Sequence, residues 1–287
     1  MTEDPFVTHR SLLFTVAYEM LGSRTDAEDV VQESWLRWAD VDKSRVLDPR
    51  AYAVRVVTRQ ALNRLRTLSR RREQYVGEWL PEPLLTSPDV AEDVEFAESV
   101  SIAMLTVLET LGPAERAVFV LHEVFDMPYE EIAGAIGKST PTVRQIARRA
   151  RKHVAARRPH VQVDRVEQQA VAERFLIALG TGQLQELMDV MAPDVVLIAD
   201  GGGLAAAVLA PIRGVEPVAA FLARANLAAA AVKNTWLNGA RAGRIEFDGE
   251  LGAAVSLAVE NGRITRIYLI RNPQKLTRLD QPVALAR

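Results

Sequence analysis

No cysteine occurs among the 287 residues, which excludes disulfides and thiolate chemistry and fits a cytoplasmic location. Long apolar runs are missing too, since nothing approaches the ~20 consecutive apolar residues of a membrane span. The opening MTEDPFVTHR lacks the basic-then-apolar order of a signal peptide. Nor does one sign of charge dominate. The 35 basic and 37 acidic side chains leave a net charge of −2, which taken whole argues against a nucleic-acid partner. Counted by segment, the charge points the other way. Residues 1–75 carry 13 basic and 11 acidic side chains, 99–164 carry 9 and 7, and 165–287 carry 13 and 12. Residues 76–98 hold seven acids and no base, so one acidic stretch masks two mildly basic modules. What is present is 48% apolar content, enough for real cores, and a length that suggests two or three domains.

The most informative stretch is Met127–Arg158, MPYEEIAGAIGKSTPTVRQIARRARKHVAARR, which reads as a helix-turn-helix. Ile132, Ala133 and Ile136 give a short helix one apolar face, and Gly137 supplies the left-handed turn that ends it. Ser139 is a good N-cap for a second helix, and Pro141 is tolerated in its first turn. In that helix Val143, Ile146, Ala147, Ala150 and Val154 share a face. The opposite face carries Arg144, Gln145, Arg148, Arg149 and Lys152, and Lys138–Arg158 holds eight Lys/Arg without an acid. A short helix with cations opposite its packing stripe suits a major groove lined with phosphates.

Upstream, residues 6–75 read as all-helical. Phe6–Leu21 is amphipathic and stops at Gly22; Asp26 caps a helix through AEDVVQESWLRWA; Pro49 opens a long helix from Arg50 to about Tyr75. The apolar face of that long helix includes Tyr52, Val56, Ala61, Leu62 and Leu65. Its other face bears Arg55, Arg59, Arg64, Arg66 and Arg70–Arg72, seven arginines in eighteen residues. The stretch 76–98 has three prolines and reads as a linker, although Trp79, Leu80, Leu84 and Leu85 hint at docking. Helical periodicity returns at Ser99–Leu111 and Ala114–Val124. After Val163, two helices (Val166–Leu179, Leu184–Ala192) precede strand-like runs at Val195–Ala199, Arg244–Phe247, Ala253–Val259 and Ile264–Ile270. Asp248-Gly249 and Asn261-Gly262 are the turns between them, and the Ala-rich Leu222–Val232 reads as buried helix.

Taken in order, these pieces resemble an extracytoplasmic-function (ECF) sigma factor of the sigma-70 family. The likeness rests on DAEDVVQESWLRW (26–38), DPRAYAVRVVTRQALNRLRTLSRRR (48–72) and the helix-turn-helix at 127–153. It implies a sigma-2 domain at 1–75, an acidic linker at 76–98 and a sigma-4 domain at 99–160. Residues 165–287 resemble a SnoaL-like domain of the NTF2-like fold, an α+β cone with a mixed, curved sheet. An ECF core joined to such a domain marks one subgroup, and WLPEPL (79–84), DGGG (200–203) and NPQKL (272–276) fit it.

The resemblance implies partners and roles. Core RNA polymerase would be met at its β′ clamp coiled coil by Asp29, Gln32, Glu33 and Trp35, and at its β flap by sigma-4. Promoter DNA would be read at −10 by Arg55, Arg59, Asn63, Arg64 and Arg66, beside the loop Asp40–Asp48. At −35 the residues would be Thr140, Thr142, Arg144, Gln145, Arg148, Arg149 and Lys152. Arg can chelate guanine and Gln adenine, each good pair discriminating by ~1–3 kcal/mol. Four or five phosphate contacts give a salt slope of roughly −4, weak for a free monomer. Affinity is therefore expected once polymerase ties both modules to one promoter. The linker's acids suit the basic channel of the polymerase or a solvated spacer equally. Trp79, Pro81, Glu82, Leu84, Asp200, Gly201, Gly202, Gly203, Asn272, Pro273, Lys275 and Leu276 are expected to meet and to regulate the chain from within.

Two other readings stay open. A one-component helix-turn-helix regulator with a sensor domain would leave the DAEDVVQESW helix unexplained. An enzyme of the polyketide cyclase or isomerase type would need a base, yet residues 165–287 contain no His or Cys. Asp200 before three glycines reads as a turn former. No catalytic residue, metal or cofactor is expected; a small-molecule ligand of the C-terminal domain stays open.

Overall fold

In the computed structural model, residues 4–72, 74–157, 164–224 and 230–287 are described. The chain begins with helices α1 (Pro5–Thr8), α2 (Arg10–Leu21), α3 (Arg24–Ala39) and α4 (Pro49–Arg72). The amphipathic run expected over Phe6–Leu21 is two helices that part at His9. Nor is α2 amphipathic. Every residue from Leu12 to Leu21 is buried, because α3 and α4 both pack on it. Gly22 ends α2 at φ 66°, its N–H bonding Tyr18 O at 2.7 Å. Ser23, rather than Asp26, caps α3: its Oγ accepts the Asp26 N–H at 3.2 Å. α3 buries Ala27, Val30, Val31, Ser34 and Trp38 at helical spacing, and α4 buries Ala53, Val57, Ala61, Leu62 and Leu65.

A connector holding a 3-10 turn at Pro88–Ala91 and helix α5 (Val94–Ser99) leads to α6 (Ile102–Leu108) and α7 (Pro113–Phe119). α7 runs on as a π-helical turn at Val120–Val124 that buries Val120, Leu121 and Val124, before α8 (Tyr129–Ile136) and α9 (Thr140–Arg157). Then come α10 (Arg165–Thr181), α11 (Leu184–Val190), β1 (Met191–Asp200), β2 (Ile212–Arg213) and α12 (Val215–Arg224). Strands β3 (Ala231–Leu237), β4 (Ala240–Phe247), β5 (Glu250–Glu260) and β6 (Arg263–Ile270) precede the short α13 (Pro273–Leu276).

The chain divides into two compact units. Residues 1–73, 104–159 and 284–287 form the first, and residues 74–103 and 160–283 the second. In the first, α4 packs on α7 and α8. Arg116 of α7 is buried: its Nε–H donates to Glu19 O of α2 at 2.9 Å and its Nη1 pairs with Glu109. Burial pushes this guanidinium down to about 9, against the pull of the Glu19 charge, so it stays charged at neutral pH. Near the chain's end, the Ala286 N–H reaches Thr15 Oγ1 of α2 at 3.1 Å.

The second unit is built on a mixed six-stranded sheet in the order β2-β1-β6-β5-β4-β3, with β1 and β6 parallel and the other pairs antiparallel. The Ala-rich stretch expected as helix is α12 followed by the start of β3; residues 225–229 lie outside the described residues. Three Asx-Gly turns join β3 to β6 in a meander. Besides the two expected, Asn238-Gly239 takes φ 51° and 71°. One face of the sheet packs Val195, Leu197, Ile245, Val255 and Ile267 against Phe175, Leu176 and Leu179 of α10. On the other face Leu80, Ile102 and Ala103 of the connector cover Leu237, Ala242, Ala254, Tyr268 and Ile270. The stretch expected as a linker is therefore part of this unit.

Candidate nucleic-acid interface

The helix-turn-helix forms for the reasons its sequence gives. α8 buries Ile132, Ala133, Ala135 and Ile136, and Gly137 turns the chain at φ 68°. Ser139 Oγ accepts the Thr142 N–H at 3.4 Å and lies 2.8 Å from Thr142 Oγ1, so the Thr142 hydroxyl serves the cap. α9 seats Val143, Ala147, Ala150 and Val154 in the core, and its outer face presents Arg144, Gln145, Arg148, Arg149 and Lys152 to solvent. Among the described residues, Gln145, Arg148, Arg149 and Lys152 make no hydrogen bond or ion pair. Arg144 is steered instead: it lies 5.8 Å from the Tyr129 ring centroid and donates to Glu130 Oε1 at 3.2 Å. Thr140, half-buried, opens the helix.

On α4 the candidate residues split. Arg55 is exposed and lies over the Tyr52 ring at 5.2 Å, and Arg66 donates to Asn63 Oδ1 at 3.3 Å. Tyr52 is half-buried against Trp38 rather than a core residue (ring centroids 5.6 Å apart). Arg64 spans two acids of α3, Asp26 at 2.7 Å and Asp29 at 3.0 Å. Asp26 beside it holds its guanidinium above the ordinary value. Its counter-charge thus comes from the neighbouring helix, which i, i+4 reasoning within α4 does not detect. Arg59 donates to backbone carbonyls of α8, and the side chains of Arg70–Arg72 lie outside the described residues. The loop before α4 is held by Asp42, whose Oδ1 accepts the Ser44 N–H, and by Lys43, which pairs with Asp4 at 2.9 Å. That pairing keeps the Asp4 carboxyl below its usual range. Asp4 also accepts Trp38 Nε1–H, so Trp38 belongs to the core. Its neighbours on α3, Gln32, Glu33 and Trp35, face solvent, with Trp35 44% exposed.

In the second unit three distant stretches meet around one carboxylate. Asp200, fully buried at the end of β1, accepts Tyr75 Oη–H at 2.6 Å, the Leu80 N–H at 2.9 Å and Lys275 Nζ–H at 2.6 Å. It is an anchor, not the turn former that local reasoning suggested. Lys275 also donates to Leu80 O and sits 4.0 Å from the Trp79 ring centroid and 5.1 Å from that of Tyr75. Asn272 caps α13 through Gln274 N–H, with Pro273 in the first turn, and gives its Nδ2–H to Tyr75 Oη. A Cβ on Gly202 would overlap the Asn272 amide, so that position admits only glycine; Gly201 and Gly203 complete the loop. Leu84 and Leu276 are buried, as are Pro81 and Glu82. Further along, Asn238 Oδ1 accepts the Leu84 N–H and its Nδ2–H reaches Val100 O, both at 2.9 Å. Burial, then the bond to Asp200, pushes the Tyr75 phenol above its ordinary value. Sequence reasoning missed Tyr75 and Asn238. Asn238 stands in an Asx-Gly turn of the kind recognised twice elsewhere, so a signal for it existed; none marks Tyr75.

A helix-turn-helix whose outer face keeps Arg148, Arg149 and Lys152 unpaired among the described residues, a second helical bundle with an arginine-lined helix, and an appended α+β cone define a promoter-reading transcription factor. Residues 6–71 match the sigma-70 region 2 family and residues 101–154 the sigma-70 region 4 family. The chain is 36% identical to the ECF RNA polymerase sigma factor SigJ of Mycobacterium tuberculosis, over 96% of this chain and 94% of SigJ. It is 32% identical to the probable ECF RNA polymerase sigma factor SigI of that organism, over 93% and 92%. With the crystal structure of M. tuberculosis SigJ the TM-score is 0.75 at 32% identity, over 95% of this chain and 97% of that one. The chain belongs to the ECF RNA polymerase sigma factors.

Proposed function

We propose that the chain binds core RNA polymerase, directs it to promoters through paired −10 and −35 contacts, and does so as a non-catalytic, cytoplasmic factor. The observation that carries this reading is the outer face of α9, where Gln145, Arg148, Arg149 and Lys152 stay unengaged among the described residues opposite the seated Val143, Ala147, Ala150 and Val154, in a chain that matches both sigma regions. Gln32, Glu33 and Trp35, with Asp29, would meet the β′ clamp, and sigma-4 the β flap. Arg55, Asn63 and Arg66 would serve the displaced −10 strand. Arg64 would act from within sigma-2, bracing the α3 acids. At −35, Arg148 and Arg149 are free to reach base edges, with Gln145 between Arg144 and the lysine end of the helix.

The SnoaL-like unit would regulate through the connector. The chain passes from the first compact unit into the connector after residue 73 and rejoins that unit at residue 104. Fastening Tyr75 and Leu80 at one end and Ile102 and Ala103 at the other limits the chain available between the two modules. The engaged state of Asp200 speaks against a catalytic base there, since its two oxygens already serve three donors. Run-off transcription with core polymerase, after a pull-down, tests the reading. Stable association and discrete transcripts from promoters of the parent genome are expected; a chain that neither binds core enzyme nor yields a discrete start is not a sigma factor.

A further inference from the structure

Arg59 lies on the face of α4 assigned above to promoter DNA, yet its guanidinium is engaged within the folded chain. Its Nε–H donates to Ala135 O at 3.0 Å and its Nη2–H to Gly134 O at 2.8 Å. The turn after α8 explains why these carbonyls are available. The N–H groups of Gly137 and Lys138 both bend back to Ala133 O. Gly134 O and Ala135 O, which a continuing helix would give to residues 138 and 139, are left over. A guanidinium forked across two carbonyls at the negative end of a helix makes a favourable cap. The cap belongs to the first helix of the helix-turn-helix, and it comes from the other sigma module.

Beside this contact, Asp42, Arg45, Tyr52 and Arg55 face Glu130 and Glu131 across a cavity of about 590 Å³. Two glutamates thus line the same space as Arg45 and Arg55, on the side where the phosphates of a displaced strand would come. Arginine has five N–H donors, so the exclusion is spatial rather than a shortage of donors. A strand laid along Arg55 and Arg59 would occupy the space that α8 closes.

We propose that Arg59 is shared between two mutually exclusive partners, the α8 carbonyls in the free chain and the −10 strand in the promoter complex. The proposal rests on the sigma reading. It makes release of the helix-turn-helix and capture of the −10 strand one event: whatever draws Arg59 onto DNA uncaps α8, and whatever holds α8 keeps the −10 face covered. The coupling is reciprocal, so freeing α8 by other means uncovers that face.

The test needs no DNA in its first arm. Because the chain has no cysteine, cysteines placed at exposed Thr67 and Lys138 take spin labels without background. Pulsed dipolar spectroscopy on the free full-length chain then reports the spacing of α4 and the helix-turn-helix. In Arg59→Ala the widely spaced population should rise about fivefold, the shift that losing one screened helix-end contact gives. Arg59→Lys keeps the charge but cannot fork across two carbonyls, so it should open nearly as far. Arg50→Ala, an exposed arginine at the start of α4, should match the unmodified chain. An unchanged distribution in Arg59→Ala overturns the latch. In the second arm the same variants, bound to core polymerase, direct run-off transcription. Arg59→Ala should initiate less than the unmodified chain, and Arg59→Lys should recover most of the loss. If Arg59→Ala opens the free chain yet initiates normally, the residue is a cap only and the sharing is overturned. A failure of the sigma reading shows separately, as an unmodified chain that does not associate with core enzyme.

Discussion

Asp200→Asn removes one charge from the contact that fastens the connector while keeping its shape. The carboxylate is fully buried, and the Lys275 side chain is only 11% exposed. Removing one partner of a buried pair costs about 3–5 kcal/mol, because the other charge is stranded. Lys275 would keep the Trp79 ring, worth about 0.5–2 kcal/mol, and the Leu80 carbonyl. The net loss of docking is then about 1–4 kcal/mol, a rise of roughly 5- to 700-fold in the undocked connector. Hydrogen exchange reads this at Leu84 and Thr86, whose amides bond Asn238 Oδ1 and Trp236 O and never touch Asp200. Their protection should fall together by that factor if the connector lifts as one piece. Adding Lys275→Met removes the stranded charge and should recover most of the loss. Unchanged protection at Leu84 and Thr86 would show that the connector is held without Asp200. A double variant no better than Asp200→Asn would show that ion pairing was not the source.

Four further expectations rest on the same geometry. Arg148→Ala or Arg149→Ala should weaken −35 use by ~1–3 kcal/mol and leave association with core polymerase intact; unchanged footprints in both would move the reading surface off α9. Deleting residues 165–287 should alter promoter activity, and deleting from Asn272 onward, which removes Asn272 and Lys275, should alter it differently and raise it; identical transcription from all three chains ends the idea of a built-in regulator. Tyr75 has a raised pKa, so an undocked or unfolded chain loses that proton first. Its stabilisation is therefore complete below about pH 10 and lost as pH climbs toward the folded value. Thermal melts between about pH 8 and 11 should lose stability less steeply in Tyr75→Phe, and parallel slopes would exclude the assignment. Arg116→Ala should destabilise the first unit by about 3–5 kcal/mol in denaturant titrations, and a change below about 1 kcal/mol would mean that Glu19 and Glu109 are stable without it.

What could be read in the sequence was what local chemistry dictates. Gly137 and Ser139 bracket the helix-turn-helix with a left-handed turn and a cap, and the stripe from Val143 to Val154 repeats at helical spacing, so both helices were legible. Two of the three hairpins were legible for the same kind of reason, an Asx-Gly pair between alternating runs. Periodicity is silent where a segment is buried all round, as in α2, or where alanine dominates, as at the start of β3. The connector misled through its acids. Its charge suggested a solvated spacer, but Leu80, Leu84 and Phe96 are spaced so that the apolar side chains go inward while Asp89, Glu92 and Glu95 stay in water, and Glu82 is buried with the apolar ones. Long-range partners leave no local trace: Asp200 looked like a turn residue because Tyr75, Leu80 and Lys275 are far away in sequence. The same holds for Arg59, whose two acceptors lie 75 and 76 residues away, and for the bond from Arg116 to the Glu19 carbonyl, 97 residues away.

A fastened connector would also act as a ruler. From Tyr75 to Ile102 there are 28 residues, which as a loose extended chain reach roughly 90–100 Å. DNA advances about 34 Å per helical turn, so a slack tether of that length would let the two reading heads straddle spacers differing by whole turns and would barely discriminate among them. Held down along Leu80, Leu84 and Phe96, the same residues contribute almost no slack. Spacer length would then become something the protein measures, and the choice of promoters would widen or narrow as the connector lifts or settles, with no change in any residue that touches a base.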